Sequence, residues 1–369
     1  MKILMPLNPT DNIDILIKGG ADEFYCGFIP PESKNTYVNI LTEYENNDFT
    51  TIEELKNKAD IIHSYGKKIF VVLNFQYYTE AFLEILLSTI EKLNELPIDA
   101  FILSDLGLIT QVRVRFPEIE VHLSTVTGAF NTYALRFFQD LGVTRIVLPD
   151  HLNNDEIAAL TQHAPKMQLE IFVMNNRCIH LECLCRFHHW QKGQPHPAPS
   201  SLSRTTLGHI KRILRQFPHK ILGLLFNNPV IKKVFENILN QTRDLHGCRL
   251  PFDVSPLNLP ATRERIQKAQ ELERYFGPFH VFMRYPPCGA CTLYRAWHQG
   301  IDVFKIDGRF NPFSKKLKDL RFIIECAGFL AQAKDEKEFI VFCKNRFKKI
   351  FGHRCTHEQC YDLNIWIQN

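Results

Sequence analysis

Short segments of four to six residues, several of them almost wholly apolar, alternate with amphipathic helical patterns in the first half of the chain. The helical patterns cover residues 52–65, 81–93 and 132–141, where apolar side chains recur every three or four positions. Strands without an exposed polar face are typical of parallel sheets that helices cover. The strand-like segments are residues 3–6, 23–26, 69–74, 100–104, 120–124, 145–148 and 169–173.

The repeated order of strand and helix predicts a parallel sheet. With the late segment 303–306 the number of strands reaches eight, which favours a closed (β/α)8 TIM-barrel-like α/β fold over an open doubly wound sheet. We expect a basic helical insertion after strand 7 and a cysteine-containing C-terminal tail. The expected boundaries are 1–186 for the first part of the barrel, 187–247 for the loop and insertion, 248–330 for its completion and 331–369 for the tail.

Polar residues follow several of these strands, at the barrel end where enzymes of this architecture carry their chemistry. Asn74 could position a substrate or cap a helix. His122 could act on a substrate or make a structural hydrogen bond. Lys305 and Arg309 suit an anion such as a carboxylate, or a salt bridge within the barrel. The candidate substrate-binding residues are Asn74, His122, Ser124, Lys305 and Arg309.

Cysteines are concentrated at two places in the chain. Three follow the seventh strand, and a Cys-x-x-Cys pair comes shortly before the eighth. With Cys248 they give six candidates for the four thiolates that a zinc ion or an iron–sulfur cluster needs. Buried core thiols are the other interpretation, and the tail cysteines Cys355 and Cys360 are open to zinc binding or packing. The five cysteines are Cys178, Cys183, Cys185, Cys288 and Cys291.

The segment 204–249 is basic, with nine Lys or Arg residues against Glu236 and Asp244, although the whole chain has a formal net charge of only +4. A solvated helical insertion explains this excess. RNA phosphates or an anionic membrane surface would also fit it. The sequence has no signal peptide and no apolar run that would cross a membrane, so the expected location is the cytoplasm.

Four segments resemble the collagenase-like peptidase family, peptidase family U32. The opening segment 1–28 contains GADEFYCG, similar to the family's GAD-x-x-Y-x-G. Residues 71–75 (VVLNF) resemble its third strand, and residues 121–149 resemble its block of His-x-Ser-Thr, Asn, Phe and Leu-Gly. Residues 300–309 (GIDVFKIDGR) resemble its closing Lys-Ile-Glu-Gly-Arg.

The resemblance implies a [4Fe–4S] cluster held by four cysteines. Glu170, Phe172 and Val173 keep the family's spacing to the first two, and zinc is the alternative cofactor. The chain departs from the family where His-Gly becomes Met174-Asn175, at a strand end where substrate is expected. The implied ligands are Cys178, Cys185, Cys248 and Cys288.

The function that the resemblance implies is oxygen-independent hydroxylation of an aromatic, quinone-precursor or RNA-base substrate, as a divergent enzyme or as its partner. A non-catalytic RNA-binding or scaffold protein with a structural metal is the first alternative, and a peptidase is the second. The expected partners are a small molecule or RNA base, a protein partner in a hetero-oligomer, and RNA or a membrane surface along residues 204–249.

Overall fold

The computed structural model describes residues 1–35, 47–75, 78–163, 167–176, 287–356 and 359–361, with the single residues 183, 228, 230 and 233. The chain divides into two compact units, residues 1–186 with 286–369, and residues 187–285. The second unit lies almost wholly outside the described residues, and so does most of the predicted basic insertion. The account below concerns the first unit.

Eight parallel strands close into a barrel in chain order, as the alternation of strand and helix predicts. Strand β8 pairs with β1, through Lys2 opposite Val303, and this pairing completes the ring. The sequence therefore predicted the fold class correctly. The strands are β1 Lys2–Pro6, β2 Glu23–Gly27, β3 Lys68–Leu73, β4 Ala100–Leu103, β5 Val121–Leu123, β6 Arg145–Val147, β7 Gln168–Met174 and β8 Val303–Ile306.

Helices separate the strands, and several of them begin at side-chain caps. Thr51, Thr79 and Asp105 each accept a hydrogen bond from a backbone N–H of the first helical turn, which fixes where α2, α3 and α4 begin. None of the described helices is long and apolar enough to cross a membrane. The helices are α1 Ile13–Lys18, α2 Ile52–Ser64, α3 Glu80–Leu93, α4 Leu106–Arg115, α5 Thr132–Asp140, α6 Asn154–His163, α7 Leu293–His298, α8 Phe313–Phe329 and α9 Glu336–Phe351.

A network of charged side chains fills part of the barrel interior. The guanidinium of Arg145 on β6 donates to Glu23 on β2 at 2.7 Å and to Glu170 on β7 at 3.4 Å. The Nζ atom of Lys305 on β8 lies 3.0 Å from the other oxygen of Glu170. All four side chains are buried, so two cations balance two carboxylates away from water.

These charges persist because each has an opposite neighbour. Burial by itself would raise the pKa of Glu23, but hydrogen bonds and charges of Arg145 and Lys2 hold the pKa below its usual range. The pKa of Arg145 is raised, since Glu23 and Glu170 outweigh the desolvation that opposes its charge. Removing one member of such a network would leave an uncompensated buried charge.

Strand β7 ends in a left-handed residue. Asn175 has φ +71°, a conformation that asparagine adopts more readily than other side chains except glycine. Its amide donates to the backbone oxygen of Asp307 at 2.8 Å and to Asp319 Oδ2 at 2.9 Å. Lys315 Nζ donates to its Oδ1 at 2.7 Å. Asn175 therefore adopts a left-handed backbone conformation at the position where the resembled family has glycine. Its side chain also links the end of β7 to the residue after β8 and to α8.

We expect Arg145→Met to destabilise the protein by about 3–5 kcal/mol, because Glu23 and Glu170 would remain buried without their shared cation. Chemical denaturation followed by circular dichroism measures this. Arg115→Met is the matched control, since its pair with Glu84 is exposed and contributes less than about 1 kcal/mol. Similar losses in both variants would contradict the role given to the network.

We expect Asn175→Ala to be less stable than Asn175→Gly by about 1–2 kcal/mol, because alanine is strained at positive φ whereas both variants lose the same hydrogen bonds. Denaturant unfolding of the two variants gives the difference directly. At Asn94, where φ is −67°, the same two substitutions should not favour glycine. Equal stability of the two variants at position 175 would refute the conformational argument.

Candidate active site at the barrel mouth

Polar side chains gather where the carboxyl ends of the strands meet, and we call this region the barrel mouth. It is the edge at which barrels of this type carry out catalysis. Each of these residues directly follows its strand or comes within three residues of its end. The barrel mouth is defined by Asn74, Ser104, Ser124, Asp150, Asn175 and Asp307.

The ends of β3, β4 and β5 are tied together by hydrogen bonds. Asn74 Nδ2 donates to Ser124 Oγ at 2.8 Å. Ser104 Oγ donates to the backbone oxygen of Phe75 and lies 3.2 Å from the hydroxyl of Tyr78. Thr79, and not Asn74, caps the next helix. Two of the predicted site residues, Asn74 and Ser124, therefore lie in contact at the mouth.

His122 lies deeper, inside the barrel, and is fully buried. Its Nε2 is 3.0 Å from Glu120 Oε1, and its ring packs edge-on against Phe70 at 4.7 Å between centroids. Burial lowers the pKa of His122, and the hydrogen bond to Glu120 opposes this only in part. A neutral ring beside a carboxylate must donate through Nε2, which leaves Nδ1 as an acceptor with no partner among the described residues.

Each of the two predicted anion-binding cations has a carboxylate partner. Lys305 pairs with Glu170 and lies 4.2 Å above the ring of Tyr25. Arg309 Nη1 donates to Asp48 Oδ1 at 2.8 Å. Arg309 follows β8 by three residues, whereas Lys305 lies within the strand and its side chain belongs to the buried network of the barrel interior. Their role in binding a substrate anion stays a prediction, and their positive charges are already balanced within the protein.

Tyr25 and Asp307 form a further pair that the site prediction did not include. The hydroxyl of Tyr25 donates to Asp307 Oδ1 at 2.6 Å, between the ends of β2 and β8. Burial raises the pKa of Tyr25 well above its usual range, and the negative charge of Asp307 raises it further. The signal was present in the sequence, since Tyr25 is the tyrosine of the GAD-x-x-Y-x-G segment.

Cys288 is the one predicted cluster ligand within the described residues. It is buried and forms an antiparallel bridge with Met174, the last residue of β7. Burial raises the pKa of its thiol well above the usual range, and nearby Cys291 contributes. The other three predicted ligands, Cys178, Cys185 and Cys248, lie outside the described residues. Among the described residues no three side chains are already arranged to hold a metal ion.

Three other described cysteines lie in two places: Cys183 is near the mouth, and Cys326 and Cys343 are in the core. Cys183 packs against Gly128, the left-handed glycine after β5, where a Cβ would come within 2.7 Å of its sulfur. Cys183 therefore lies next to the end of β5. Cys326 and Cys343 are buried between α8 and α9, and burial together with contact with Cys291 and Cys326 raises the pKa of Cys343. Those two behave as core thiols.

Comparison with known proteins identifies relatives over the barrel. The chain is 33% identical to the tRNA hydroxylation protein P of Haemophilus influenzae over 178 residues, which make up 48% of this chain and 36% of that protein. The 23S rRNA 5-hydroxycytidine C2501 synthase of Escherichia coli is 31% identical over 53% of this chain and 27% of its own length. A collagenase of Porphyromonas gingivalis is 30% identical over 43% of this chain and 35% of its own length.

The chain thus spans between about a quarter and a little over a third of the length of these three relatives. The family description that matches is Peptidase family U32, over residues 9–197. This match covers β2 to β7 and more than half of the chain, and it agrees with the motifs around Tyr25, Ser124 and Glu170. The chain therefore belongs to peptidase family U32.

Proposed function

We propose that this chain is an iron–sulfur protein of RNA-base hydroxylation, with the barrel mouth as its substrate site. The relatives whose names state tRNA hydroxylation and 5-hydroxycytidine synthesis in 23S rRNA support the reaction class. They match the barrel, and the barrel carries the polar mouth. The collagenase relative has a comparable sequence identity over a shorter part of this chain. Peptidase activity is therefore the alternative that the experiment must exclude.

The position of Cys288 carries the proposal. Its backbone pairs with Met174 at the end of β7, and the predicted ligands Cys178 and Cys185 follow that strand after four and eleven residues. Cys288 therefore lies next to the strand end after which Cys178 and Cys185 come in the sequence. Cysteine thiolates are the ligands that iron–sulfur clusters use.

The donor set fits such a cluster in its chemistry. Cys178, Cys185, Cys248 and Cys288 would hold it, and it would supply one-electron transfer close to the mouth. Deprotonation of Cys288 is unfavourable in the protein without metal, because burial raises its pKa. A bound metal reverses this by replacing the proton.

The charges of the mouth favour an uncharged substrate group. Lys305 and Arg309 are balanced by Glu170 and Asp48, and two more carboxylates follow β6 and β8, those of Asp150, which pairs with His151, and Asp307. A carboxylate or phosphate at the same place would be repelled. A nucleobase presents hydrogen-bonding edges without a formal charge, so it fits better than an acidic quinone precursor.

Groups at the mouth can both donate to and accept from such an edge. Asn74 offers an amide, Ser124 a hydroxyl and Asp307 a carboxylate. The phosphates of the RNA would then contact another part of the chain, and the basic segment 204–249 has the charge for it. The alternative of a non-catalytic RNA-binding protein shares this binding but predicts no hydroxylated product.

We expect the anaerobically purified protein to contain iron and sulfide, and we expect Cys288→Ala to lose both together with the visible absorption and the electron paramagnetic resonance signal of the reduced cluster. Cys26→Ala is the matched control, since Cys26 is equally buried but lies on β2. Nucleoside mass spectrometry of RNA from cells with and without the protein tests the reaction.

Loss of a hydroxylated nucleoside in cells carrying Cys288→Ala, but not Cys26→Ala, would support the whole proposal. A colourless protein that binds one zinc ion would refute the cluster. Unchanged RNA together with turnover of a collagen-derived peptide by the repurified protein would refute hydroxylation and favour the peptidase.

A further inference from the structure

A short piece of the C-terminal tail is held at the barrel mouth by its backbone. The N–H of Cys288 donates to the oxygen of Gln359 at 2.6 Å, and the N–H of Tyr361 donates to the oxygen of Cys288 at 3.1 Å. Cys288 and Cys360 therefore form a parallel bridge next to the bridge between Cys288 and Met174. These residues lie far outside the segment that matches the family.

The ring of Tyr361 packs directly on Gly289. A Cβ at position 289 would come within 2.6 Å of the ring atom Cδ2, so any larger residue there would displace the tyrosine. Gln359, which is almost fully buried, fixes the preceding turn by accepting from the N–H of Thr356 at 3.2 Å. The orientation of Tyr361 therefore follows from both backbone pairing and side-chain contact.

The hydroxyl of Tyr361 is buried, and none of the described residues accepts a hydrogen bond from it. The N–H of Asp307 donates to the oxygen of Met174 at 3.0 Å, which places Asp307 beside the same bridge. Burial, followed by the charges of Asp150 and Asp307, raises the pKa of Tyr361. The backbone N–H of Asn176 acts in the opposite direction, but it can only donate to the phenol oxygen. The phenol proton itself is left without an acceptor.

We propose that Tyr361 is a substrate-positioning residue whose hydroxyl donates a hydrogen bond to a carbonyl oxygen of the target base. This inference rests on the proposed function and extends it to a residue supplied by the tail. A buried hydroxyl without an acceptor costs free energy in the unliganded protein, and a bound carbonyl oxygen would remove that cost. A free phenol is protonated near neutral pH and is therefore available as a donor.

The surroundings specify the class of base. Asp150 and Asp307 can only accept hydrogen bonds while ionised, so they suit an N–H next to the carbonyl that Tyr361 would contact. Uracil and guanine present a carbonyl oxygen beside a ring N–H. An edge with acceptors only would leave the two carboxylates facing lone pairs, which is unfavourable.

The experiment compares Tyr361→Phe with the wild-type full chain, both purified anaerobically. Phenylalanine keeps the ring on Gly289 and removes only the hydroxyl. We expect KM for RNA hydroxylation, and Kd for uridine or guanosine by equilibrium dialysis, to rise about three- to tenfold with kcat unchanged. Tyr133→Phe is the matched control, because Tyr133 on α5 is 79% exposed.

The melting temperature gives a reading that does not depend on the proposed function. None of the described residues accepts a hydrogen bond from the wild-type hydroxyl, so Tyr361→Phe should melt at the same temperature or higher. A clear decrease would show that the hydroxyl has a partner within the protein, and would overturn the inference. Wild-type hydroxylation with unchanged KM and Kd in Tyr361→Phe would also overturn it while leaving the proposed function intact. Wild-type protein that neither binds nor hydroxylates RNA would overturn both.

Discussion

The buried ion network inside the barrel is the interaction on which the geometry of the mouth depends. Arg145 joins β2, β6 and β7 through Glu23 and Glu170, and Lys305 extends the network to β8. Each charge is stable in the interior only while its opposite neighbour stays within contact. The four strands are therefore held in one register, and their carboxyl ends present Asp150, Asn175 and Asp307 at fixed positions.

The cations at the mouth are paired with carboxylates, and a part of the chain that is distant in sequence packs beside them. Because its cations are paired, the mouth offers hydrogen-bond donors and acceptors and little net attraction for an anion. Cys288 joins this surface to the end of β7, and the tail adds Cys360 and Tyr361 beside it.

Sequence patterns predicted the strands almost residue for residue, since helical spacing and apolar runs reflect local burial. They also placed Asn74 and Ser124 correctly at the mouth, because the end of a parallel strand can be read from the chain. They did not separate the two roles open to His122, because the depth of a side chain within the barrel depends on the register of its neighbours. The sequence marked Met174-Asn175 as a departure from the family at a strand end where substrate is expected, and the structure adds that Asn175 has a positive φ, which no sequence pattern predicted.

The sequence by itself determined the barrel, the family and the cysteines that are candidates for a cluster, because periodicity and motif spacing are properties of the chain. Only the tertiary structure decided which charges neutralise one another and which distant residues share the mouth. Pairing of Lys305 with Glu170, and of Arg309 with Asp48, depends on closing the ring of strands. The position of Tyr361 against Gly289 depends likewise on a backbone pairing between the tail and Cys288, for which local sequence has no periodic signal.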